Sequence, residues 1–247
     1  MIGLKGTALK DMMRTAKGVL YFQGSEVSTD TWQAVESPAI FLELLNVVID
    51  VPIPHNIEGL IGCNPTLPWA EDHFKERVGR EPLNPGEQYK NWPYYRQDEN
   101  WREDGRFSHT YMERFWPPLS RVGIRYYWGN LDNVVELLLR DPFTRQAYLP
   151  IWFPEDTGAQ DKQRVPCTLG YHFLRRGNKL HLFYPIRSCD AVRHLSNDVY
   201  MACRLVQWVL EELRSKNEEW DKVVPGNLDM HIVSLHCFKQ EAFLLRK

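Results

Sequence analysis

The chain has 247 residues, 43% of them hydrophobic and 13% aromatic, enough to bury a substantial core in one large domain or two small ones. Its 30 basic and 32 acidic residues leave a formal net charge of −2, which excludes a general electrostatic pull toward nucleic acid or an anionic membrane. Any phosphate the protein binds must therefore be met by a few placed arginines.

The five cysteines (Cys63, Cys167, Cys189, Cys203, Cys237) form no CxxC pair and leave an odd count, which argues against a disulfide framework or a thiolate zinc site. No apolar run approaches the roughly 20 residues of a membrane span, and the N-terminus lacks the charged-then-apolar order of a signal peptide. The expectation is a cytoplasmic protein with no membrane partner and no metal.

Residues 8–13 read as a short helix, KGVLYFQGSEV (17–27) as a strand closed by Gly24, and SPAIFLELLNVVI (37–49) as a buried helix opening near Ser37-Pro38. From about 51 to 110, prolines, tryptophans and charges crowd together, which predicts a loop-rich insertion within a single domain spanning 1–247. NLDNVVELLLRDP (130–142) predicts a helix stopped by Pro142, and RQAYLPIWF (145–153) a strand. TLGYHFLRR (168–176), the turn GN and KLHLFYPIR (179–187) predict a β-hairpin, with Leu180, Leu182, Tyr184 and Ile186 alternating. In 197–220, Val199, Ala202, Val206, Val209 and Leu213 recur at spacings of three and four, the stripe of an amphipathic helix, and DMHIVSLHCF (229–238) reads as a final strand. Hairpins and helices without regular βαβ alternation point to an α+β fold.

Cys167 follows Pro166 at the mouth of the hairpin, and RSCD (187–190) stands at the end of the returning strand. That geometry brings Arg187 toward the thiol, where a cation favours the reactive thiolate. A lone cysteine beside a strand is more often an inert core residue.

The order Pro-Cys, hairpin, Arg-Ser-x-Asp and a polar residue eleven positions past Arg187 resembles the thymidylate synthase family. RTAKGVLYF (14–22), LELL (42–45), DPFTRQ (141–146) and SLHCF (234–238) resemble further motifs of that family in the same order. The resemblance implies a thymidylate-synthase-like fold, a mixed or antiparallel sheet covered by helices, and a homodimer formed through the sheet. It implies Cys167 as the nucleophile that adds to C6 of a pyrimidine nucleotide monophosphate, so that C5 can attack the one-carbon unit of 5,10-methylenetetrahydrofolate. By the same resemblance Arg14, Arg187, Ser188 and Arg145 hold phosphate, Arg145 by reaching the partner's site. Glu43 organises proton transfer, Tyr111 is the active-site tyrosine, His236 meets the sugar and Asp190 meets the pterin. Trp69 is a candidate for stacking on the folate.

Asp198 stands where the family carries a base-reading Asn. A protonated Asp can donate to N3 of cytosine and accept from its amino group, whereas an amide suits uracil. The bland reading of Asp198 is a helix N-cap. RSCDAVRHLSND, with Pro-Cys-Thr in place of Pro-Cys-His, resembles the phage deoxycytidylate hydroxymethylases, which implies water capture and 5-hydroxymethyl-dCMP as product. The alternatives are a dCMP methyltransferase, a dUMP-specific enzyme, or a non-catalytic nucleotide-binding relative. Three departures stand out: Gln146 replaces an arginine whose contact Arg193 could supply, Phe238 replaces a tyrosine, and nine residues follow Phe238.

Overall fold

The computed structural model describes residues 1–32, 35–92, 102–117, 129–157 and 164–246. Strand β1 (Ile2–Lys5) leads into helix α1 (Leu9–Gln23), followed by β2 (Ser25–Trp32) and the 18-residue β3 (Val35–Pro52). Short α2 (Ile57–Leu60) precedes α3 (Trp69–Val78), the ribbon β4 (Arg102–Glu103) and β5 (Arg106–Phe107), and α4 (Tyr111–Phe115). Then come α5 (Leu131–Arg140), β6 (Tyr148–Pro150), α6 (Pro154–Thr157), β7 (Gly170–Arg176), β8 (Lys179–Asp190), α7 (Leu195–Arg214) and β9 (Val224–Phe238). A 3-10 segment, Lys239–Arg246, follows and packs against α1 and β3.

The main sheet runs β1-β3-β9-β8-β7-β6, with β2 also on β3. It is mixed: β1 and β3 are parallel, as are β8 and β9, while β3 with β9, β7 with β8 and β6 with β7 are antiparallel. This is the α+β architecture expected. The hairpin, the α5 helix and the last strand form where the sequence predicts them, whereas the long helix expected to reach 220 ends at Arg214 and Glu218–Trp220 forms a separate 3-10 turn.

The N-terminal third corrects the sequence reading twice. Residues 17–23 continue α1 instead of forming a strand, because Ala16 and Leu20 extend the buried stripe begun by Leu9, Met12 and Met13. Gly24 ends that helix, its N–H donating to the Leu20 carbonyl. Residues 37–49 lie in β3, so Glu43 is a strand residue. An unbroken apolar run fits a helix or a buried strand equally well on periodicity. Antiparallel pairing with β9 from Phe41–Phe238 to Pro52–Asn227 settles it, helped by the β-branched Val47, Val48, Ile49 and Val51. The segment read as loop-rich contains the ten-residue α3, whose Ala70, Phe74 and Val78 join the core; part of it, 93–101, lies outside the described residues.

The inward-facing set slips by one residue at the same level of three adjacent strands. On β3 it passes from Val47, Ile49 and Val51 to Leu44; on β9 from Met230 and Ile232 to Leu235 and Cys237; on β8 from Tyr184 and Ile186 to Cys189. Asn46, at φ 60, marks the slip on β3. Such an irregularity bends a strand and re-aims its side chains. Here it turns Ser188 out of the core layer beside Arg187, where continued alternation would have buried Ser188.

Candidate functional site

The loop before β7 is stitched to β8. The Arg187 N–H donates to the Cys167 carbonyl at 2.9 Å, the Leu169 N–H donates to the Pro185 carbonyl at 3.0 Å, and Thr168 bridges to Ile186. The Arg187 side chain returns to the same loop, its Nε donating to the Pro166 carbonyl at 2.9 Å and its Nη2 to the Val165 carbonyl at 3.1 Å. The same Nη2 lies 3.9 Å from Cys167 Sγ. Arg187 thus holds the thiol by its backbone and faces it with a cation. The expected thiolate bias is nevertheless outweighed: burial pushes the Cys167 thiol above its usual range, Arg187 and Arg164 pull it down, and Asp198 adds to the rise. The resting group is a thiol.

Behind Cys167 runs a chain of buried hydroxyls. Tyr111 Oη and Tyr184 Oη each lie 2.9 Å from Thr168 Oγ1. Burial raises both phenols, so the chain stays neutral. His109 and His194 line the same region. Burial, reinforced by nearby arginines, drives each down to about 3, so both are uncharged at neutral pH.

Asp198 lies in the first turn of α7. The N-cap of that helix is His194, and the Asp198 N–H donates to the His194 carbonyl at 2.9 Å, so the capping reading of Asp198 fails. Its carboxyl is pushed up to about 6 by burial, against the pull of the Arg77 charge and of the Cys189 thiol 3.6 Å away. It can exchange a proton near neutrality.

Register places the remaining residues in rows across the bent sheet. Glu43 on β3 faces His236 on β9, which faces Asp190 on β8, and one pair further Ser234 faces Ser188. Ser234 Oγ donates to Glu43 Oε1. His236 Nδ1 is buried without a hydrogen-bond partner among the described residues. Asp190 Oδ1 accepts from the Val192 and Arg193 N–H groups at 2.8 and 3.0 Å, which makes it a turn residue as well. Burial raises its carboxyl, against those two N–H donors and His236.

Several expected residues stand elsewhere. Arg14 is on the outer face of α1, 80% exposed at its side chain and paired with Asp11 at 2.9 Å. Arg145 is exposed beside β6, its carbonyl facing His172 Nε2 at 2.9 Å. Trp69 is engaged by two other rings, His73 at 5.0 Å and Trp92 at 4.2 Å between ring centroids. Arg193 is tied to Glu241 at 2.6 and 3.1 Å and covers the Phe238 ring at 4.4 Å, so it is not the substitute phosphate ligand suggested by the sequence.

Superposed on the thermostable thymidylate synthase A from Bacillus subtilis, the chain gives a TM-score of 0.70 at 15% identity, covering 97% of this chain and 83% of that one. The fold is that of a thymidylate synthase. In sequence the chain is 25% identical over 175 residues to a protein of Methanosarcina barkeri (strain Fusaro) described as "Putative thymidylate synthase", spanning 69% of this chain and 70% of that one. No family model matches the sequence. Within the thymidylate synthase fold, Cys167 on the loop before β7, Arg187 on β8, Asp198 on α7 and Tyr111 on α4 are brought together. Sequence reasoning missed Arg77, Thr168 and the two half-buried histidines. Arg77 lay in a charge-rich stretch, AEDHFKERV, whose helical stripe of Ala70, Phe74 and Arg77 was the available signal. Among the described residues no helix is long and apolar enough to cross a membrane.

Proposed function

We propose that the protein is a one-carbon transferase of the thymidylate synthase family that acts at C5 of a pyrimidine nucleotide, dCMP above all, and yields 5-hydroxymethyl-dCMP. The observation that carries this reading is an arginine-held thiol at Cys167 in the same site as a half-buried carboxyl at Asp198, which desolvation pushes up to about 6. A carboxyl that keeps its proton this close to neutrality can donate to N3 of cytosine and accept from the exocyclic amino group.

The Cys167 thiol passes its proton to solvent water as the nucleotide enters, and the sulfur adds to C6 of the ring. The electron pair of the C5–C6 double bond moves toward C5 and N3, where the Asp198 proton meets it, and C5 becomes nucleophilic. Thr168, Tyr111 and Tyr184 hold their protons in a fixed row beside the reacting sulfur. Glu43, Ser234 and His236 face the nucleotide from β3 and β9, and Ser188 adds a hydroxyl. Arg187 holds the cysteine loop, and Arg145, exposed, is available to the phosphate of a second subunit.

When bound, 5,10-methylenetetrahydrofolate supplies the one-carbon unit. The residues fit it through Asp190: one carboxylate oxygen caps the turn, and the other, 3.8 Å from Arg193 Nε, can accept from the pterin amino group. Trp69 already stacks within the protein, on His73 and against Trp92, which leaves less of its ring for the folate. A homodimer accords with the sheet face turned away from the core, where Leu45, Val233, Phe183 and Tyr148 are exposed.

Incubation with [5-³H]dCMP or [5-³H]dUMP and the folate tests the reading. Tritium is expected to leave C5 of dCMP, with a product heavier than dCMP by CH2O and not by CH2. Asp198→Asn is expected to shift the preference toward dUMP. Tritium retained by both nucleotides would overturn the proposal.

A further inference from the structure

Four arginines are buried among the described residues: Arg77, Arg114, Arg175 and Arg204. Three are paired with carboxylates, Arg114 with Asp156 at 2.8 Å, Arg175 with Glu219 at 2.7 Å and Arg204 with Glu71 at 3.0 Å. Arg77 differs. It is 6% exposed on the inner face of α3 and pairs with no carboxylate among the described residues; its Nε is fully buried without a hydrogen-bond partner, as are Nε and Nη1 of the ion-paired Arg114. Its guanidinium carbon lies 4.0 Å from the centroid of the Tyr111 ring, so one face of the plane is covered by an aromatic and the N–H edge is left to seek an acceptor. A buried guanidinium without an acceptor is costly, and such a group persists where a ligand completes it.

Tyr111 places that edge: the ring stacked on Arg77 carries its hydroxyl 2.9 Å from Thr168 Oγ1, the residue after Cys167. The Arg77 charge reaches Asp198, Tyr111 and Tyr171, as well as His73 and His194, whereas the cations acting on Cys167 are Arg187 and Arg164. The site therefore has two cationic ends, one at the sulfur and one at the base-reading carboxyl. A phosphate at the second end would crowd another anion against Asp198. A neutral carbonyl oxygen would not, and a guanidinium donates to one readily.

We infer that Arg77 is a substrate-contacting residue whose unpaired N–H groups donate to a ring oxygen of the bound pyrimidine, O2 when the base is cytosine, so that Arg77 and Asp198 together read the base. The inference rests on the pyrimidine nucleotide reading given above. It adds a second base contact from α3, an element the sequence motifs do not mark.

Calorimetric titration of the full chain with dCMP and with 2-thio-dCMP, in which a poorly accepting sulfur replaces O2, tests it. The wild-type protein is expected to favour dCMP by about 10- to 100-fold, the range for a lost hydrogen bond to a charged donor. Arg77→Gln is expected to weaken dCMP binding by about the same factor and to bind the two nucleotides equally, whereas Arg77→Lys recovers part of the preference. Equal wild-type affinity for the two nucleotides overturns the inference, as does undiminished discrimination by Arg77→Gln. The wild-type comparison stands even where a variant fails to fold. Discrimination at O2 without tritium release from C5 would sustain the Arg77 contact while sinking the proposed reaction; absence of any dCMP binding would sink both.

Discussion

The two ends of the site handle positive charge differently. At the sulfur end, Arg187 is committed: its Nε and Nη2 bind the Pro166 and Val165 carbonyls, and the cation that faces Cys167 is fixed in place by the loop it holds. At the carboxyl end, Arg77 lies against Tyr111 with its Nε unpaired. A guanidinium bound to carbonyls keeps its charge and loses its freedom, so it positions. One without acceptors keeps both, so it can bind. Residue type alone does not separate the two roles, and partner lists do.

The largest effect that would break this contrast is at the sulfur. Cys167→Ala is expected to lower tritium release by roughly 10⁴-fold or more, the scale for removing a nucleophile; turnover that survives the change would show that the sulfur end does no covalent work. Next comes the carboxyl end. Asp198 keeps its proton to about pH 6 when folded, and only to about 4 unfolded. Its stabilising contribution is therefore fully present below roughly pH 4 and is lost as the pH rises through 6. Asp198→Asn removes that loss, so the variant is expected to be more stable than wild type at pH 8 by up to about 3 kcal/mol, an upper bound because the side chain keeps some exposure, with no gain at pH 4. Urea denaturation at both pH values measures it, and a gain that does not grow with pH would contradict the raised carboxyl.

Thr168→Val cuts the hydroxyl row between the two ends. It leaves the buried Tyr111 and Tyr184 hydroxyls without their shared partner, and a loss of about 1–3 kcal/mol in the same denaturation assay is expected. A neutral result would mean that water takes the place of the threonine. The smallest effect is outside the site: Arg14→Ala is expected to change stability by less than about 0.5 kcal/mol and leave tritium release intact, because an exposed pair one turn apart contributes little. A large fall in nucleotide affinity would instead return Arg14 to the phosphate.

The C-terminal half was legible because its signals are local. The turn GN between two alternating runs fixes the β7–β8 hairpin, and the stripe from Val199 to Leu213 fixes α7. Those elements carry Arg187, Ser188, Asp190 and Asp198, and the loop leading into the hairpin carries Cys167, so most of the candidate site came with them. The N-terminal third misled because its apolar runs are continuous. KGVLYFQ has no alternation to distinguish helix from strand, and IFLELLNVVI suits either until β9 pairs with it. The Glu43–His236–Asp190 row could not be read either, since it joins three strands far apart in the chain.

By itself the sequence determined the α+β class, the hairpin with its cysteine and arginine, and the long helix bearing Asp198, because turn chemistry and hydrophobic period act over a few residues. Only the tertiary structure decided which charges are met. Burial raises the Cys167 thiol despite its arginine, Asp190 is held by its own turn, and Arg14 is left on the surface while Arg77 is carried inside. Desolvation and pairing depend on neighbours brought together from distant parts of the chain, and a one-dimensional pattern does not contain them.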